Sequence, residues 1–425
     1  MSTRILVVEA WPADDRRQLR PYPGANPSCT VSLSGLREAE MSEPENEGGE
    51  ALGRSSVQRR EILKTVAAAG GAAAAGALAA PYIGNAQTAA GISLKIQTAW
   101  SAGGIGQQIF ETWCHSIIER TSGELALVPF AADDISGIFE MMDAVAGGVL
   151  DGMNWFPIYW AATGRMPAGA FLSSFPMGLD HPHQWDMLFD SYGGTELARE
   201  LYAKQGLYFV GHVHHDLNLI HSKKPIRSLD DFKGLKIRMP GGLIADSFNA
   251  IGARTVTLPG PDVFSALEAG AIDAADFVGP AINFSLGFAD VSDYIVMGPP
   301  STPCLHQPVD LMEVSFNLQT WNRLPDHLKA ILIDQVRTFS SLHFTGIQKA
   351  NVEAWSKFAE AGTTVTRLSE EDVAQFRKVA LPLWFQWANK DKDAARIFKL
   401  HLEVMQNPSL AYLTPDDIKG YELKV

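Results

Sequence analysis

Hydrophobic residues along this chain change their spacing repeatedly, from every second position to every third or fourth. Beyond about residue 90, alternating stretches at 94–98, 125–129 and 152–155 predict β-strands. Between them, residues 106–120 and 136–147 carry the helical period. This βαβαβ order predicts a right-handed, mostly parallel sheet flanked by helices.

The same alternation of strand-like and helical pieces returns in residues 233–288. Residues 206–222 lie between the two regions and are predicted to be two strands that cross from one lobe to another. Residues 311–317 alternate as a returning strand, and four helices are predicted after it, at 326–344, 348–361, 370–389 and 393–406. The predicted fold class is α/β with two lobes, each a mostly parallel sheet flanked by helices, followed by C-terminal helices.

The first 86 residues have a different pattern. Residues 58–64 read QRREILK, which is typical of a twin-arginine signal, and a weakly apolar run at 65–80 and a small-x-small cleavage site ending at Ala86 follow it. Residues 1–40 are polar and patternless, so Met41 is an alternative start and 41–86 is the signal proper. The apolar run is shorter than the ~20 residues that span a bilayer. Export to the periplasm with cleavage near Ala86 is therefore favoured over a membrane anchor or an ordinary helix.

Charge and motif content exclude several classes of function. A formal net charge of −13, without a basic block outside the signal, argues against nucleic-acid binding. Cys114 and Cys304 follow the predicted cleavage site without a C-x-x-C pair, so two buried thiols and one long-range bridge both remain open. The sequence lacks a dinucleotide fingerprint, H-E-x-x-H and an evident nucleophile–base pair. A binding protein is favoured, with an exported cofactor- or metal-dependent enzyme as the alternative.

Arg238 is the strongest candidate for ligand binding. It ends a short predicted strand and precedes Met239-Pro240-Gly241-Gly242, which leaves a backbone-lined approach to its guanidinium. A planar fork of donors at a strand end suits a carboxylate. The alternative is a surface arginine paired with Asp230 or Asp231.

An aromatic cluster, Trp155-Phe156-Pro157-Ile158-Tyr159-Trp160, directly follows the third predicted strand. Ligands of open α/β sheets bind beyond the carboxyl ends of strands, so the cluster is expected to form a cleft wall. Trp155, Tyr159 and Trp160 are its candidate pocket residues. A buried aromatic core is the alternative.

Several histidines raise the question of a transition-metal site. Alternation along the strand at 207–213 places His212 and His214 on one face and His215 on the other. No carboxylate pair near them in sequence completes a tetrahedral set, so a metal site is the less favoured interpretation. His181 and His183 lie in a predicted loop and are less favoured still.

The segment 233–288 resembles the solute-binding proteins of tripartite ATP-independent periplasmic (TRAP) transporters. The matching pieces are GLKIR at 234–238, the turn Ile251-Gly252-Ala253, the helix at 262–268 and GAIDA at 270–274. DFVGP at 276–280, followed by LGF at 286–288, is similar to the branch that binds 2-oxo and 2-hydroxy acids, where the first of these reads E-W-V-G-P. Weaker similarity runs from about residue 94 to the last helices.

This resemblance implies a receptor that closes two lobes on a small organic acid and delivers it to membrane permease subunits. It implies that Asp276, the carbonyl of Phe277 and Gln307 hold a Na⁺ or Ca²⁺ ion that bridges to the acid, and no catalytic cofactor. Asn218 lies near the place of an amide that helps to bind ligand and cation. Asp276 is shorter than the usual glutamate, and Phe277 replaces tryptophan as a hydrophobic wall. A carboxylate that caps Asn283 or a turn amide is the alternative for Asp276.

The predicted organisation is a leader and signal at 1–86, the N-terminal part of lobe 1 at 87–213, lobe 2 at 214–308, and a return strand with C-terminal helices on lobe 1 at 309–425. In the 2-oxoacid branch the last long helix can exchange between protomers. Trp384, Phe385 and Trp387 would supply an apolar face for such a homodimer, and core packing within one chain explains them equally well.

Overall fold

The computed structural model describes residues 91–410 and 413–424. The predicted leader, signal and cleavage site lie outside these residues. The strands are β1 (Ile92–Thr98), β2 (Leu125–Phe130), β3 (Gly152–Trp155), β4 (Leu207–His214), β5 (Leu219–Ser222), β6 (Lys236–Arg238), β7 (Arg254–Val256), β8 (Ala274–Phe277), β9 (Tyr294–Met297), β10 (Leu311–Asn317) and β11 (Thr364–Arg367).

Helices cover both sheets and form the C-terminal region. They are α1 (Ile105–Arg120), α2 (Met141–Ala146), α3 (Ile158–Ala162), α4 (Pro182–Asp186), α5 (Gly194–Ala203), α6 (Gly242–Ala250), α7 (Val263–Glu268), α8 (Pro280–Ser285), α9 (Phe288–Val291), α10 (Leu318–Arg323), α11 (Asp326–Glu360), α12 (Glu370–Ala388) and α13 (Lys392–Met405). No helix in the described ranges is both long and apolar enough to cross a membrane.

Two separate sheets form the framework. The first has the strand order β2-β1-β3-β10-β4, and the second has the order β11-β9-β5-β8-β6-β7. Each is mostly parallel with one reversed strand, which is β10 in the first sheet and β5 in the second. The chain passes between the sheets from β4 to β5 and returns from β9 to β10. The predicted two-lobed α/β fold class is confirmed.

The C-terminal range is shared between the two sheets. Strand β11 pairs in parallel with β9 of the second sheet, and α12 packs against α6 of the same lobe. Helix α13 packs against α5 and the Pro167–Phe171 turn of the first lobe. The prediction that residues 309–425 pack on lobe 1 therefore does not describe β11, and α12 packs on both lobes, since Trp384 also contacts Phe175 and Pro176 of the first lobe. A strand of four residues after a long helix offers little periodicity from which to predict its partner.

Residues Asp326–Glu360 form one long helix, α11, where the sequence pattern predicts two, at 326–344 and 348–361. Gly346 lies within this helix, and a Cβ atom at this position would lie 3.0 Å from Cδ1 of Ile109. The glycine thus allows α1 and α11 to approach closely. Helix α11 also contacts β4 and α8, so it spans both lobes.

Local capping explains where the last two long helices begin. The Ser369 hydroxyl accepts a hydrogen bond from the backbone N–H of Asp372 at 3.1 Å, and the Asp372 carboxylate accepts one in return. Asp391 accepts from the backbone N–H of Ala394 at 2.7 Å and caps α13 in the same way.

The aromatic face proposed for a homodimer is buried within the chain. Trp384 donates to the carbonyl of Pro176 at 2.8 Å, and Trp387 donates to Asp246 at 2.8 Å. Phe385 is also buried and stacks on Tyr421. Core packing accounts for these three rings, and dimerisation stays a prediction without this support.

Candidate functional site

A cavity lies where the carboxyl ends of strands from both lobes meet. It encloses about 900 Å³ of atom-free space, part of it open to solvent. The first lobe contributes segments that follow β1 and β3, and the second lobe contributes the ends of β6 and β8. This is the place where the topology of open α/β sheets predicts a ligand site.

Six of the predicted site residues line this cavity together: Tyr159, Asn218, Arg238, Asp276, Phe277 and Gln307. They come from a helix after β3, the crossing into β5, the ends of β6 and β8, and the return to β10. The fold therefore brings together residues that are up to 148 positions apart in sequence.

Arg238 is only 3% exposed, so it is not a surface arginine. Its Nε and Nη2 atoms each donate to the carbonyl of Leu258 at 3.1 Å, and Nη1 donates to the Asp276 carbonyl at 2.9 Å and its Oδ2 atom at 3.2 Å. Asp230, its predicted alternative partner, pairs with Lys233 instead. The guanidinium also forms a hydrogen bond with the Tyr159 side chain, so the predicted free bidentate fork is not present in this conformation.

Asp276 is fully buried and accepts hydrogen bonds at both carboxylate oxygens. Its Oδ2 atom accepts a hydrogen bond from Nη1 of Arg238. Its Oδ1 atom lies 3.2 Å from Nδ2 of Asn218 and 2.8 Å from Nε2 of His306. The alternative of a carboxylate that caps Asn283 does not describe this geometry, since Asn283 donates to the Val278 carbonyl. Asp276 is the centre of a buried network with two cationic groups.

His306 was not among the predicted residues. Burial lowers the pKa of this imidazole, but the sulfur of Cys304 and the Asp276 carboxylate outweigh burial and raise the pKa to about 10. His306 therefore carries a positive charge at neutral pH. It lies in a loop without hydrophobic periodicity, so its sequence position gave no signal.

Asp310 is a second acidic group at the cavity, and it was also missed. Burial and the negative charge of Asp276 raise its pKa to about 7. Its Oδ1 atom accepts from the backbone N–H of Leu311 at 2.9 Å and from the hydroxyl of Ser173 at 3.3 Å. Below pH 7 this carboxyl is mostly neutral and adds little negative charge to the cavity.

Amide groups of Asn218 and Gln307 accompany Asp276 at this end of the cavity. The amide Nδ2 of Asn218 donates to both Asp276 Oδ1 and Gln307 Oε1, the latter at 3.0 Å. The Oδ1 atom of Asn218 is buried and has no partner among the described residues. A hard cation requires such a group of carboxylate and amide oxygens, so the side chains present fit Na⁺ or Ca²⁺.

The aromatic cluster divides between cavity and core. Tyr159 and Phe156 line the cavity, and burial raises the pKa of Tyr159 although Arg238 beside it opposes this shift. Trp155 donates to the Ile138 carbonyl at 2.9 Å, and Trp160 stacks on Tyr202 with ring centroids 4.6 Å apart. These two tryptophans lie in the core of the first lobe and do not line this cavity, so the structure does not support their predicted role.

The cavity has further apolar walls that the sequence did not reveal. Trp100 follows β1, and Phe264 and Phe288 belong to the second lobe. Phe277 packs beside Phe288, with ring centroids 5.2 Å apart, and the guanidinium carbon of Arg238 lies 5.6 Å from its ring centre. The cavity thus has the polar residues around Asp276 at one end, and its other walls are mainly hydrophobic.

The histidines of β4 lie away from this cavity. As predicted, His212 and His214 share one face, because both lie beside Asp186, while His215 contacts His343 at 3.0 Å between Nδ1 and Nε2. His181 and His183 pack edge to face at the start of α4. Cys114 and Cys304 are both free and buried, which decides between the two predicted thiol states.

Comparison with known proteins places the chain among solute receptors. The family described as bacterial extracellular solute-binding protein, family 7 (DctP), matches residues 96–391. A monocarboxylate 2-oxoacid-binding periplasmic protein of Nostoc sp. is 27% identical over 349 residues, which cover 81% of this chain and 92% of that protein.

Solved structures agree with this comparison. A TRAP periplasmic solute-binding protein from Rhodobacter sphaeroides, solved in an apo open state, is 29% identical with a TM-score of 0.59 and covers 75% of this chain and 99% of its own. A TRAP transporter solute-binding protein from Bordetella bronchiseptica, solved with calcium and picolinate, has a TM-score of 0.69 at 22% identity and covers 75% of this chain and 93% of its own. The resemblance of residues 233–288 to the solute-binding proteins of TRAP transporters is confirmed.

Proposed function

The chain belongs to the family-7 bacterial extracellular solute-binding proteins, and we propose that it is the periplasmic receptor of a TRAP transporter for small 2-oxo or 2-hydroxy monocarboxylic acids. The observation that carries this proposal is the buried Arg238, whose guanidinium lines the cavity between the two lobes. Lobe closure captures the acid, and the receptor delivers it to membrane permease subunits. The twin-arginine route and cleavage near Ala86 stay predictions.

Charge supports a monoanionic ligand. Arg238 and His306 are cationic and surround the Asp276 carboxylate, which leaves one net positive charge at this end of the cavity. Asp310 is mostly neutral below pH 7. This positive charge attracts a carboxylate, whereas a second carboxylate on the ligand would have to enter the hydrophobic part of the cavity unpaired.

A bridging cation fits the same end of the cavity. Asp276, Gln307 and Asn218 would hold it through side-chain oxygens, and the Phe277 carbonyl is proposed as a further ligand. A bound Na⁺ or Ca²⁺ would reduce the repulsion between the acid and Asp276. The calcium and picolinate of the Bordetella protein support this proposal, because picolinate and a 2-oxo acid both place a lone-pair donor next to a carboxylate.

The ligand's remaining atoms would contact the aromatic walls. Phe156 and Tyr159 of the first lobe and Phe264 and Phe277 of the second lobe surround this space. Burial of apolar surface contributes roughly 25 cal/mol per Å². We therefore expect branched or aromatic 2-oxo acids to bind more tightly than pyruvate.

Thermal unfolding of the purified full chain tests this function. The screen pairs each 2-oxo acid with the carboxylic acid of the same skeleton that lacks the oxo group, with and without EDTA, followed by addition of Ca²⁺ or excess Na⁺. A ligand that binds only the folded state raises the midpoint of unfolding. We expect stabilisation by 2-oxo and 2-hydroxy acids over their unsubstituted partners. Equal stabilisation within each pair would overturn the 2-oxo assignment, and no stabilisation by any acid would overturn the receptor assignment.

A further inference from the structure

A second group of convergent side chains lies at the edge of the first lobe, outside the cavity described above. Asp186 ends α4, while His212 and His214 project from the same face of the edge strand β4. Oδ1 of Asp186 lies 3.0 Å from Nε2 of His212 and 2.8 Å from Nε2 of His214. Within residues 91–410 and 413–424, this is the group in which three histidine, cysteine or carboxylate donors meet closely enough to hold one metal ion.

We propose that Asp186, His212 and His214 bind a divalent transition metal ion of the zinc type. Neighbouring donors around a tetrahedral zinc with bonds of about 2.0–2.1 Å lie about 3.3 Å apart. The two contacts with Asp186 therefore need to lengthen by only a few tenths of an ångström, and the two imidazole nitrogens, which lie within 4.8 Å of each other, need to approach by at most about 1.5 Å. The imidazoles would bind through Nε2 in their Nδ1-protonated tautomers, so the metal replaces the two hydrogen bonds that now reach one carboxylate oxygen.

The surroundings hold the two imidazoles in place. The ring of His212 stacks on Phe189 with centroids 4.5 Å apart and an interplanar angle of 13°. The backbone N–H of His214 donates to the hydroxyl of Ser340 at 2.9 Å, which ties β4 to α11. Side chains that the protein already holds in place lose less conformational entropy when they bind a metal ion.

An ion can reach these donors from solvent. The side chain of Asp186 is 52% exposed, whereas those of His212 and His214 are 9% and 8% exposed. The group opens into a surface cleft that shares no lining residue with the ligand cavity. Three protein donors thus leave a coordination position for water, and the binding of metal here is independent of the organic acid.

Donor chemistry distinguishes this site from the one at Asp276. Two imidazoles and one carboxylate select Zn²⁺, Cu²⁺ or Ni²⁺ over Na⁺ and Ca²⁺, which prefer oxygen. The bound metal would join α4 to the edge strand β4 and stabilise this part of the first lobe. The sequence suggested the two histidines, but Asp186 lies 26 and 28 positions before them and could not be associated with them.

Calorimetric titration with ZnCl₂ tests the proposal on the untagged, metal-free full chain. We expect one Zn²⁺ ion per chain, undiminished by excess Ca²⁺. Asp186→Asn, at a half-exposed position that folding tolerates, and His214→Gln should each weaken binding by about tenfold or more. The matched control is His327→Gln, because His327 forms an exposed pair with Glu124 at 2.8 Å without a third donor.

Cobalt gives a second readout that reports coordination directly. Co²⁺ in the wild-type chain should show the visible d–d absorption of a low-coordinate site with nitrogen ligands, and Asp186→Asn should change or abolish it. Unfolding monitored by circular dichroism checks that the variants are folded. Unchanged zinc binding in folded Asp186→Asn and His214→Gln, an equal loss in His327→Gln, or the absence of stoichiometric zinc binding would each overturn the proposal.

Discussion

Nη1 of Arg238 lies 3.2 Å from Oδ2 of Asp276, and neither side chain is more than 3% exposed. Arg238, the candidate residue for binding the organic acid, and Asp276, the candidate residue for binding a cation, therefore form an ion pair with each other. An ion pair removed from water requires additional hydrogen bonds, and Leu258, Asn218 and His306 supply them here. The pair fixes the position of the guanidinium before any ligand arrives.

Removing one member of this pair should destabilise the fold. Arg238→Met leaves the Asp276 carboxylate buried beside a single cation, and we expect a loss of about 3–5 kcal/mol in the free energy of unfolding. The double variant Arg238→Met/Asp276→Asn removes both charges and should recover a large part of this loss. Urea unfolding measures both. A double variant as unstable as the single one would show that the pair does not act as a unit.

Tyr159 and Trp160 are adjacent in sequence but should respond differently to substitution. Tyr159→Phe removes a hydroxyl beside Arg238 in the cavity, and the dissociation constant for a bound 2-oxo acid should rise about fivefold or more, corresponding to about 1 kcal/mol. Trp160→Phe should lower the stability and leave the dissociation constant unchanged, because Trp160 packs in the core. Calorimetry and urea unfolding separate the two effects. A weaker ligand affinity in folded Trp160→Phe would contradict this division.

Gln307→Met should remove the cation dependence of ligand binding. Methionine preserves the shape of the side chain but lacks the amide oxygen that faces Asn218. We expect the affinity of the variant for the acid to be the same with EDTA and with added Ca²⁺ or Na⁺. Gln335→Met is the matched control, since Gln335 is a buried amide on α11 that does not line the cavity. Chelator sensitivity retained in Gln307→Met would exclude Gln307 as a ligand.

Asp310 should make stability depend on pH. Its pKa is raised to about 7 in the folded chain by burial and by Asp276, whereas an aspartate in an unfolded chain has a pKa of about 3.9. The folded state therefore holds the proton more tightly, and the stabilisation is present below about pH 4 and is lost as the pH rises through about 7. The difference in unfolding free energy between wild type and Asp310→Asn should follow this direction. A difference that is constant from pH 4 to pH 8 would contradict the assignment.

Gly279 is required by the crossing between the lobes. A Cβ atom at Gly279 would overlap with Oδ2 of Asp216, whose carboxylate is held by Gln348 at 2.9 Å and by Asn351 of α11. Gly279→Ala should cost about 1–3 kcal/mol in unfolding free energy.

Gly137→Ala is the control for this substitution. Its new Cβ would meet only the end of the exposed Glu140 side chain, which can move aside. Thermal or urea unfolding should show little change. A similar loss in both variants would indicate a general effect of replacing glycine.

The family resemblance supplied four of the residues at the cavity: Asn218, Asp276, Phe277 and Gln307. Local pattern was sufficient to find two more, Arg238 at the end of a strand and Tyr159 after one. These places are recognisable because strand periodicity stops there. Trp155 and Trp160 satisfied the same rule and nevertheless lie in the core.

For Trp160 the reason is the short helix α3, which the sequence pattern did not predict. Successive helical residues are rotated by about 100° about the axis, so Tyr159 and Trp160 cannot both face the cavity. His306 and Asp310 were missed because they lie in an irregular return segment. Their importance comes from proximity to Asp276, which no local spacing encodes.

The sequence by itself determined the two-lobed α/β architecture, the strand ends that line the cavity, and the family. Whether side chains are buried at every second or every third to fourth position depends on residues that are close in sequence, so the local pattern reveals it. Tertiary structure alone decided that Arg238 bonds Leu258 and Asp276, 20 and 38 positions away, and that Asp186 meets the histidines of β4. Hydrogen bonds and metal coordination depend on distances of about 3 Å between side chains, and only the folded chain sets such distances between remote segments.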